Sequence, residues 1–135
     1  LLARKGAQWF MAEEDAALVD LGNGIYHMPS NGIMYQAQRS EEAFRSLAEA
    51  RSYVQNLELG GYSDWRLPTI YELYDLYLIF DLNQNGSLSL DLSGNYWSGE
   101  KDGDGVVGAW EIGDQCDPER LYYEKKKGYV RAVRP

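Results

Sequence analysis

The sequence predicts an α+β domain, because two stretches of helical periodicity lie between segments that read as short strands and turns. In each of the two stretches, apolar residues recur three or four positions apart, as on one face of a helix. Before and after them, Gly- and Asn-rich turns separate short runs of β-branched and aromatic residues, which is typical of hairpins. At 135 residues the chain has room for one core, so a single domain is expected.

The opening hairpin is predicted from two turn signals. A Gly-Asn-Gly turn at residues 22–24 precedes a short strand at residues 25–28, and a Pro-Ser-Asn-Gly turn separates it from a second strand at residues 33–35. The first twenty residues carry no clear pattern. Two alternatives fit these residues: a short helix, or an edge strand followed by a loop.

Two capping boxes mark the predicted helix starts. Ser46 with Glu49 opens the first helix, and the Ser-Glu-Glu string at residues 40–42 is an earlier alternative start; this helix is expected to end at Gly60. Thr69 with Glu72 opens the second helix from about residue 70. Both apolar stripes are interpreted as core faces: Leu47, Ala50, Val54 and Leu57 in the first helix, and Leu73, Leu76, Tyr77 and Phe80 in the second.

The linker between the helices is predicted to be architectural. Trp65 supplies a large ring that fills a buried corner, and the planar guanidinium of Arg66 is suited to bridging backbone carbonyls or a carboxylate. Pro68 removes a donor and holds Leu67 extended. We therefore assign Trp65, Arg66 and Pro68, together with the capping Glu72, structural roles.

The charge of the chain excludes some partners. A formal net charge of −8 and a pI near 4.6 argue against nucleic acid and against capture by anionic membranes. No apolar run approaches the roughly 18–20 residues that span a bilayer, so no membrane insertion is expected. An excess of carboxylates fits cations, above all calcium. Cys116, the single cysteine, is either a free thiol or an intermolecular link.

A first candidate calcium loop spans residues 81–92. Oxygen-bearing side chains stand at its positions one, three, five and nine, and the turn glycine stands at position six. Leu92 stands at position twelve, where a bidentate Glu belongs. Tight turns made by Asx hydrogen bonds are the structural alternative. The candidate ligands are Asp81, Asn83, Asn85 and Ser87.

A second candidate loop spans residues 100–111. It has acids at positions one, three and five, glycine at six and a Glu at twelve, with Glu in place of Asp at position one. No helix clearly follows either loop, so the sequence predicts isolated calcium loops rather than paired EF-hands. The candidate ligands are Glu100, Asp102, Asp104, Val106 and Glu111.

The end of the chain is predicted to be a second hairpin. An aromatic run at residues 121–123 and a basic turn at residues 125–128 precede a last strand that alternates across a sheet. Between the second helix and this hairpin, residues 81–116 show little regular structure. A segment of that length is uncommon in a compact domain unless it is functional or disordered.

Three strings recur together in a known family. The linker reads Gly-Tyr-Ser-Asp-Trp-Arg-Leu-Pro-Thr at residues 61–69, followed by Glu72-Leu73; Asn-Tyr-Trp-Ser, with Trp97, follows at residues 95–98. The closing string at residues 128–134 contains Arg131 and Arg134. Together they resemble the landmarks of the Lcl C-terminal-like domains, which assigns structural roles to Trp97, Arg131 and Arg134. The resemblance spans residues 20–135 as one domain and leaves residues 1–19 as an N-terminal arm or edge segment.

The resemblance implies a C-type-lectin-like fold, in which two helices flank a mixed antiparallel sheet and a long irregular loop region lies on one side. Ligands in that fold are typically held on the loop side, often with calcium, and the family's best-known members look like adhesins that bind sulfated glycans. We therefore expect an extracellular or cell-surface recognition domain, stabilised by calcium, that binds a glycan or protein through residues 81–123. The candidate ligand-contacting residues are Trp110, Tyr122 and Tyr123, because aromatic faces stack on sugar rings.

Two other functions are weighed against recognition. A structural subunit of a surface or filamentous assembly is the main alternative, with residues 1–19 as the segment contributed to a neighbour. Enzymatic activity has little support, since the chain has one histidine, His27, and no Ser/His/Asp arrangement. Formylglycine-generating enzymes, which share the broader fold, use a pair of cysteines. A non-enzymatic domain is expected.

Overall fold

A computed structural model describes residues 17–99 and 127–135, together with the backbone of residues 2–5, 8–11 and 109–111. These residues form two helices and three antiparallel sheets, which confirms the α+β class. The elements in chain order are β1 (Leu2–Lys5), β2 (Gln8–Met11), β3 (Val19–Gly22), β4 (Ile25–Met28), β5 (Ile33–Gln36), α1 (Leu47–Gln55), α2 (Ile70–Asp81), β6 (Asn95–Trp97), β7 (Ala109–Glu111) and β8 (Val133–Arg134).

The main sheet has four strands in the order β3-β4-β5-β8. Its centre is the predicted opening hairpin, in which Met28 pairs with Ile33 and Ile25 with Gln36. In the turn, the side chain of Asn31 accepts a hydrogen bond from the main-chain N–H of Ile33. The end of the chain then adds β8 beside β5. The other two sheets are the pairs β1-β2 and β6-β7.

The first helix ends earlier than the sequence predicts. Ser46 caps its start, accepting from the N–H of Glu49, but Asn56 already caps its end. Gly60 and Gly61, expected to end the helix, instead form the two-residue turn between Leu59 and Tyr62, which pair across it. Both glycines have positive φ, 61° and 85°, as a type I′ turn requires. The two glycines therefore form a separate turn, and α1 ends before it.

The predicted capping box at the first helix is only half formed. The carboxylate of Glu49 accepts from the N–H of Arg45, one residue before the N-cap, rather than from Ser46. The box at the second helix is complete: Thr69 accepts from the N–H of Glu72, and Glu72 accepts from the N–H of Thr69. The predicted start of α2 is confirmed.

The core is divided between the two faces of the main sheet. One cluster contains Ile25 of β4 and Val54 of α1, and the other contains Met28 of β4 and Leu76 of α2. Residues 25 and 28 of one strand point to opposite faces because side chains alternate along it. Each helix therefore packs on its own side of the sheet. Neither described helix has the length and apolar character needed to span a bilayer.

The closing segment alternates across the sheet, as the sequence predicts. Ala132 joins the first cluster and Val133 the second. Both sides are covered, however, and residues 130–133 are all buried. The predicted hairpin partner at residues 121–123 lies outside the described residues, as do residues 125 and 126 of the basic turn.

The stretch predicted to be irregular contains regular structure. β6 pairs with β7, with Tyr96 opposite Trp110, and the backbone of Tyr129 is bonded to both Asn95 and Trp97. The β6 residues therefore lie between β7 and the closing segment. At the N-terminal end, Leu18 of the predicted arm is buried in the second cluster.

Candidate functional site

The linker between the helices is held by bonds from its side chains and its backbone. Trp65 is 5% exposed, and its ring N–H donates to the carbonyl of Tyr62. Arg66 donates from two nitrogens to the two carboxylate oxygens of Glu72, each at 2.8 Å. Pro68 is fully buried, and its carbonyl accepts from the N–H of Gly99. Arg66 also donates to the main-chain carbonyl of Leu67 at 3.2 Å, so its guanidinium reaches both a carboxylate and a backbone carbonyl, the two kinds of acceptor that the sequence suggests.

The charges of this corner are balanced by specific bonds. Burial raises the pKa of Glu72, but its hydrogen bonds from Arg66 and from the Thr69 N–H outweigh that effect and hold the pKa below its usual value. Asp64 pairs with Arg134, with Nε–Oδ1 and Nη2–Oδ2 distances of 2.6 and 3.0 Å. That hydrogen bond lowers the pKa of the exposed Asp64. These groups tie the linker to α2 and β8.

Two further residues predicted as structural are Trp97, which lies in the core, and Arg134, which is half-buried at its edge. Trp97 is 4% exposed, and its ring N–H donates to the carbonyl of Phe44 at 3.1 Å. Arg134 contacts the ring of Tyr62, with its guanidinium carbon 3.8 Å from the ring centroid. Both contacts join segments more than fifty residues apart in the chain. The structure thus places each of them where it connects separate parts of the fold.

The first candidate calcium loop begins at the last residue of α2. Asp81, Asn83 and Ser87 are exposed, and Asn83 and Gly86 have positive φ, 56° and 59°. The side-chain N–H of Asn85 donates to the carbonyl of Leu88 at 2.7 Å. This last bond is the kind of Asx contact that stabilises a tight turn.

The second candidate loop lies outside the described residues except for the backbone of β7. Glu100, Asp102, Asp104 and Val106 are therefore not placed. Glu111 and Trp110 are placed by backbone alone, opposite Asn95 and Tyr96 of β6. Tyr122 and Tyr123 also lie outside. Within the described part of the chain, no group of three or more His, Cys, Asp or Glu side chains is arranged to hold a metal.

A buried arginine holds the segment that follows the first loop. Arg131 is 1% exposed and donates to the carbonyls of Gln36 and Ala37, each at 2.8 Å, and of Asp91 at 2.7 Å. Tyr96 adds a further bond, since its hydroxyl donates to the same Asp91 carbonyl at 2.7 Å. The backbone at Asp91 is thus fixed to the end of β5 through a guanidinium that is inaccessible to water.

A second arginine binds the same segment from the surface side. Arg39 forms an ion pair with the carboxylate of Asp91 at 3.0 Å and donates to the carbonyl of Ser93. Its guanidinium carbon lies 3.7 Å from the ring centroid of Tyr129, a cation–π contact. Hydrogen bonds from Ser93, together with the charges of Arg39 and Arg131, lower the pKa of Asp91.

These groups line an open cavity of about 700 Å³. One wall is the segment after β5, and the other is the loop around Asp91. Two arginines and two acids contribute to the lining, so its formal charges balance. The lining residues are Ala37, Gln38, Arg39, Ser40, Glu41, Ser89, Leu90, Asp91, Tyr129 and Arg131. The arrangement can present hydrogen-bond donors and acceptors together to a polar ligand.

The sequence did not indicate this cavity. Arg39 and Asp91 are 52 positions apart; Arg39 belongs to no recognisable motif, and Asp91 stands at position eleven of the first candidate loop, which is not a ligand position of the calcium-loop pattern. Arg131 was predicted as structural from the family landmark, but its acceptors are main-chain carbonyls, which carry no sequence signal. The one local signal is the Asx turn in which Asp91 accepts from both the N–H and the hydroxyl of Ser93.

A comparison with protein families accounts for nearly all of the chain. The sequence model of the Lcl C-terminal domain matches residues 7–134. The chain belongs to this family. No curated protein matches it, and no solved structure does. The match includes the linker, the Trp97 strand and the closing arginines, and it begins within the stretch predicted as an N-terminal arm. In this Lcl C-terminal domain, those landmark residues connect the helices, the sheet and the loop segment.

Proposed function

We propose that this Lcl C-terminal domain is a non-enzymatic recognition domain with a C-type-lectin-like fold. It acts outside the cell or at its surface and binds a glycan or a protein on the side formed by residues 81–123. Calcium, held by one or both candidate loops, stabilises that side. The observation that carries the proposal is the cavity between the Asp91 loop and the segment after β5.

Three properties of the cavity support a glycan as the ligand. Its volume lies within the roughly 300–1,000 Å³ of ligand sites. Arg39 and Arg131 are balanced by Glu41 and Asp91, which suits a neutral ligand whose hydroxyls both donate and accept. The wall is held by charged and buried bonds, so little ordering is required on binding.

The proposal is tested by glycan and protein binding with and without a calcium chelator. Ser89 is exposed and lines the cavity, so Ser89→Trp is expected to obstruct it; Ser63→Trp, at an exposed position away from the cavity, is the matched control. We expect a bound glycan to be lost in the first variant and kept in the second. Binding that survives Ser89→Trp would place the ligand elsewhere.

A structural subunit is the second candidate. Among the described residues, β3 has a single neighbour in its sheet, and Leu21 on this edge strand is 48% exposed. An unpaired edge is a template for pairing with another chain. Sedimentation of the purified chain over a range of concentrations separates the two: assembly that is lost in Leu21→Lys, without glycan binding, would favour the structural subunit.

A further inference from the structure

A second cavity lies next to α1, on the other side of the segment after β5. Its volume is about 480 Å³, and none of its lining residues belongs to the 81–123 side. One wall is apolar and consists of Phe44, Tyr53 and Leu59. The rings of Phe44 and Tyr53 are in contact, with centroids 5.4 Å apart and planes tilted by 38°. The cavity therefore has a continuous aromatic wall.

Buried polar groups hold this wall in place. Gln36 is 6% exposed; its side-chain N–H donates to the hydroxyl of Tyr53 at 2.7 Å, and its side-chain oxygen accepts from the N–H of Ala132. Ser40 is 3% exposed and accepts from the N–H of Val130. Since both anchors bond to the closing segment, the cavity is preformed rather than dependent on a ligand.

Two acidic side chains also line the cavity. Glu41 and Glu42 are exposed, line the cavity, and form no ion pair among the described residues. Arg39 also contributes to the lining, but its charge is paired with Asp91 and its guanidinium is stacked on Tyr129. With one arginine and two glutamates in its lining, this cavity has a formal charge of −1, in a chain whose formal net charge is −8.

Aromatic rings and carboxylates in the lining of one cavity form an environment suited to organic cations. The ring quadrupoles attract a cation, the carboxylates pair with it, and the apolar wall covers its hydrocarbon stem. An anionic ligand would be repelled by Glu41 and Glu42. We propose that this cavity binds an arginine or lysine side chain from a basic segment of a partner protein. The two cavities share Gln38, Arg39, Ser40 and Glu41, whereas Glu42, Phe44 and Tyr53 line this cavity and not the other.

The experiment is a titration of the isotope-labelled chain with acetyl-triarginine amide, followed by amide chemical shifts. The uncharged isostere acetyl-tricitrulline amide is the matched probe. We expect saturable shifts at Gln38, Glu41, Glu42, Phe44 and Tyr53 with the arginine peptide, and at least about tenfold weaker binding of the citrulline peptide, since the charge is the proposed determinant.

Variants distinguish the cavity from general attraction to an acidic surface. Glu41→Gln combined with Glu42→Gln is expected to weaken binding of the arginine peptide about tenfold. Glu58→Gln, at an exposed position outside the cavity, is expected to leave that binding unchanged. Thermal melts of all variants check that the fold is intact. Shifts spread over the acidic surface, or an unchanged dissociation constant in the double variant, would overturn the proposal. Equal binding of the two peptides would instead indicate a neutral polar ligand.

Discussion

The carboxylate of Glu72 accepts two hydrogen bonds from the guanidinium of Arg66, each 2.8 Å long, and a third from the main-chain N–H of Thr69. Arg66 also exchanges two main-chain hydrogen bonds with Val133, each 2.9 Å long. One ion pair therefore joins the first turn of α2 to the closing segment of the main sheet. The following predictions begin with this pair.

Replacing Glu72 tests what the pair contributes. Glu72→Gln keeps the size of the side chain but removes the charge, so we expect the free energy of unfolding to fall by about 1–2 kcal/mol. The exposure of Arg66, 38% of its side chain, keeps the expected loss below that of a fully buried pair. Urea denaturation measures the change. Glu58→Gln, on an exposed side chain, should change stability by less than about 0.5 kcal/mol, and an equal loss in both variants would contradict the prediction.

The pH dependence of stability follows from the same carboxylate. Its pKa is lower in the folded chain than its ordinary value of 4.5, so its contribution is present above pH 4.5 and is lost as the pH falls through the folded pKa. We expect the free energy of unfolding to decrease as the pH falls below about 4.5. Glu72→Gln should show a shallower decrease, and Glu58→Gln should keep the wild-type slope. Identical slopes in all three proteins would argue against a role for Glu72.

Among the landmark arginines, replacing Arg131 is expected to cause the largest loss of stability. Arg131→Met leaves the carbonyls of Gln36, Ala37 and Asp91 without this donor in a buried place, and should cost more than about 3 kcal/mol. Hydrogen exchange should also rise around Asp91, because the loop loses its buried anchor. Arg51→Met, at an exposed helical position, is the control. Unchanged exchange near Asp91 would show that Arg39 and Tyr96 suffice to hold the loop.

The two glycines of the turn should respond differently to the same substitution. At Gly61 an added Cβ meets nothing within 4 Å, so Gly61→Ala incurs only the strain of a positive φ, about 1–2 kcal/mol. At Gly60 the added Cβ would lie 2.2 Å from Cδ1 of Ile25, a buried core residue, so Gly60→Ala must also displace the core. Denaturant midpoints should therefore be clearly lower for Gly60→Ala. Equal midpoints would mean that Ile25 moves without cost.

Calcium binding is tested by a thermal melt of a chelator-stripped sample. A ligand that binds the native state alone stabilises it by roughly 2.7 kcal/mol at a hundredfold excess over its dissociation constant, so we expect a concentration-dependent rise in Tm. Loss of this rise in Asp104→Ala combined with Glu111→Ala would assign it to the second loop, and loss in Asp81→Ala to the first. If Tm does not rise at millimolar calcium, both loops are Asx-rich turns that do not bind calcium.

Patterns of residues close together in the sequence predicted much of the secondary structure. The capping box of Thr69 and Glu72 marks the start of α2 because its two bonds form between residues three apart. The opening hairpin follows from the Asn31-Gly32 turn, whose bonds are equally local. The end of α1 was predicted wrongly, because a pair of glycines suits a helix C-cap and a type I′ turn equally well. Its actual end at Asn56 is a cap that carries no strong sequence signal.

The sequence by itself determined the α+β class, the family and the start of α2. The tertiary structure decided that both sides of the closing segment are covered, that Arg39 meets Asp91, and that two cavities flank the segment after β5. The physical reason is how far apart in the sequence the interacting residues lie. Helix caps and turns are bonds between near neighbours, whereas these cavities depend on side chains that bond to main-chain atoms forty to one hundred residues away.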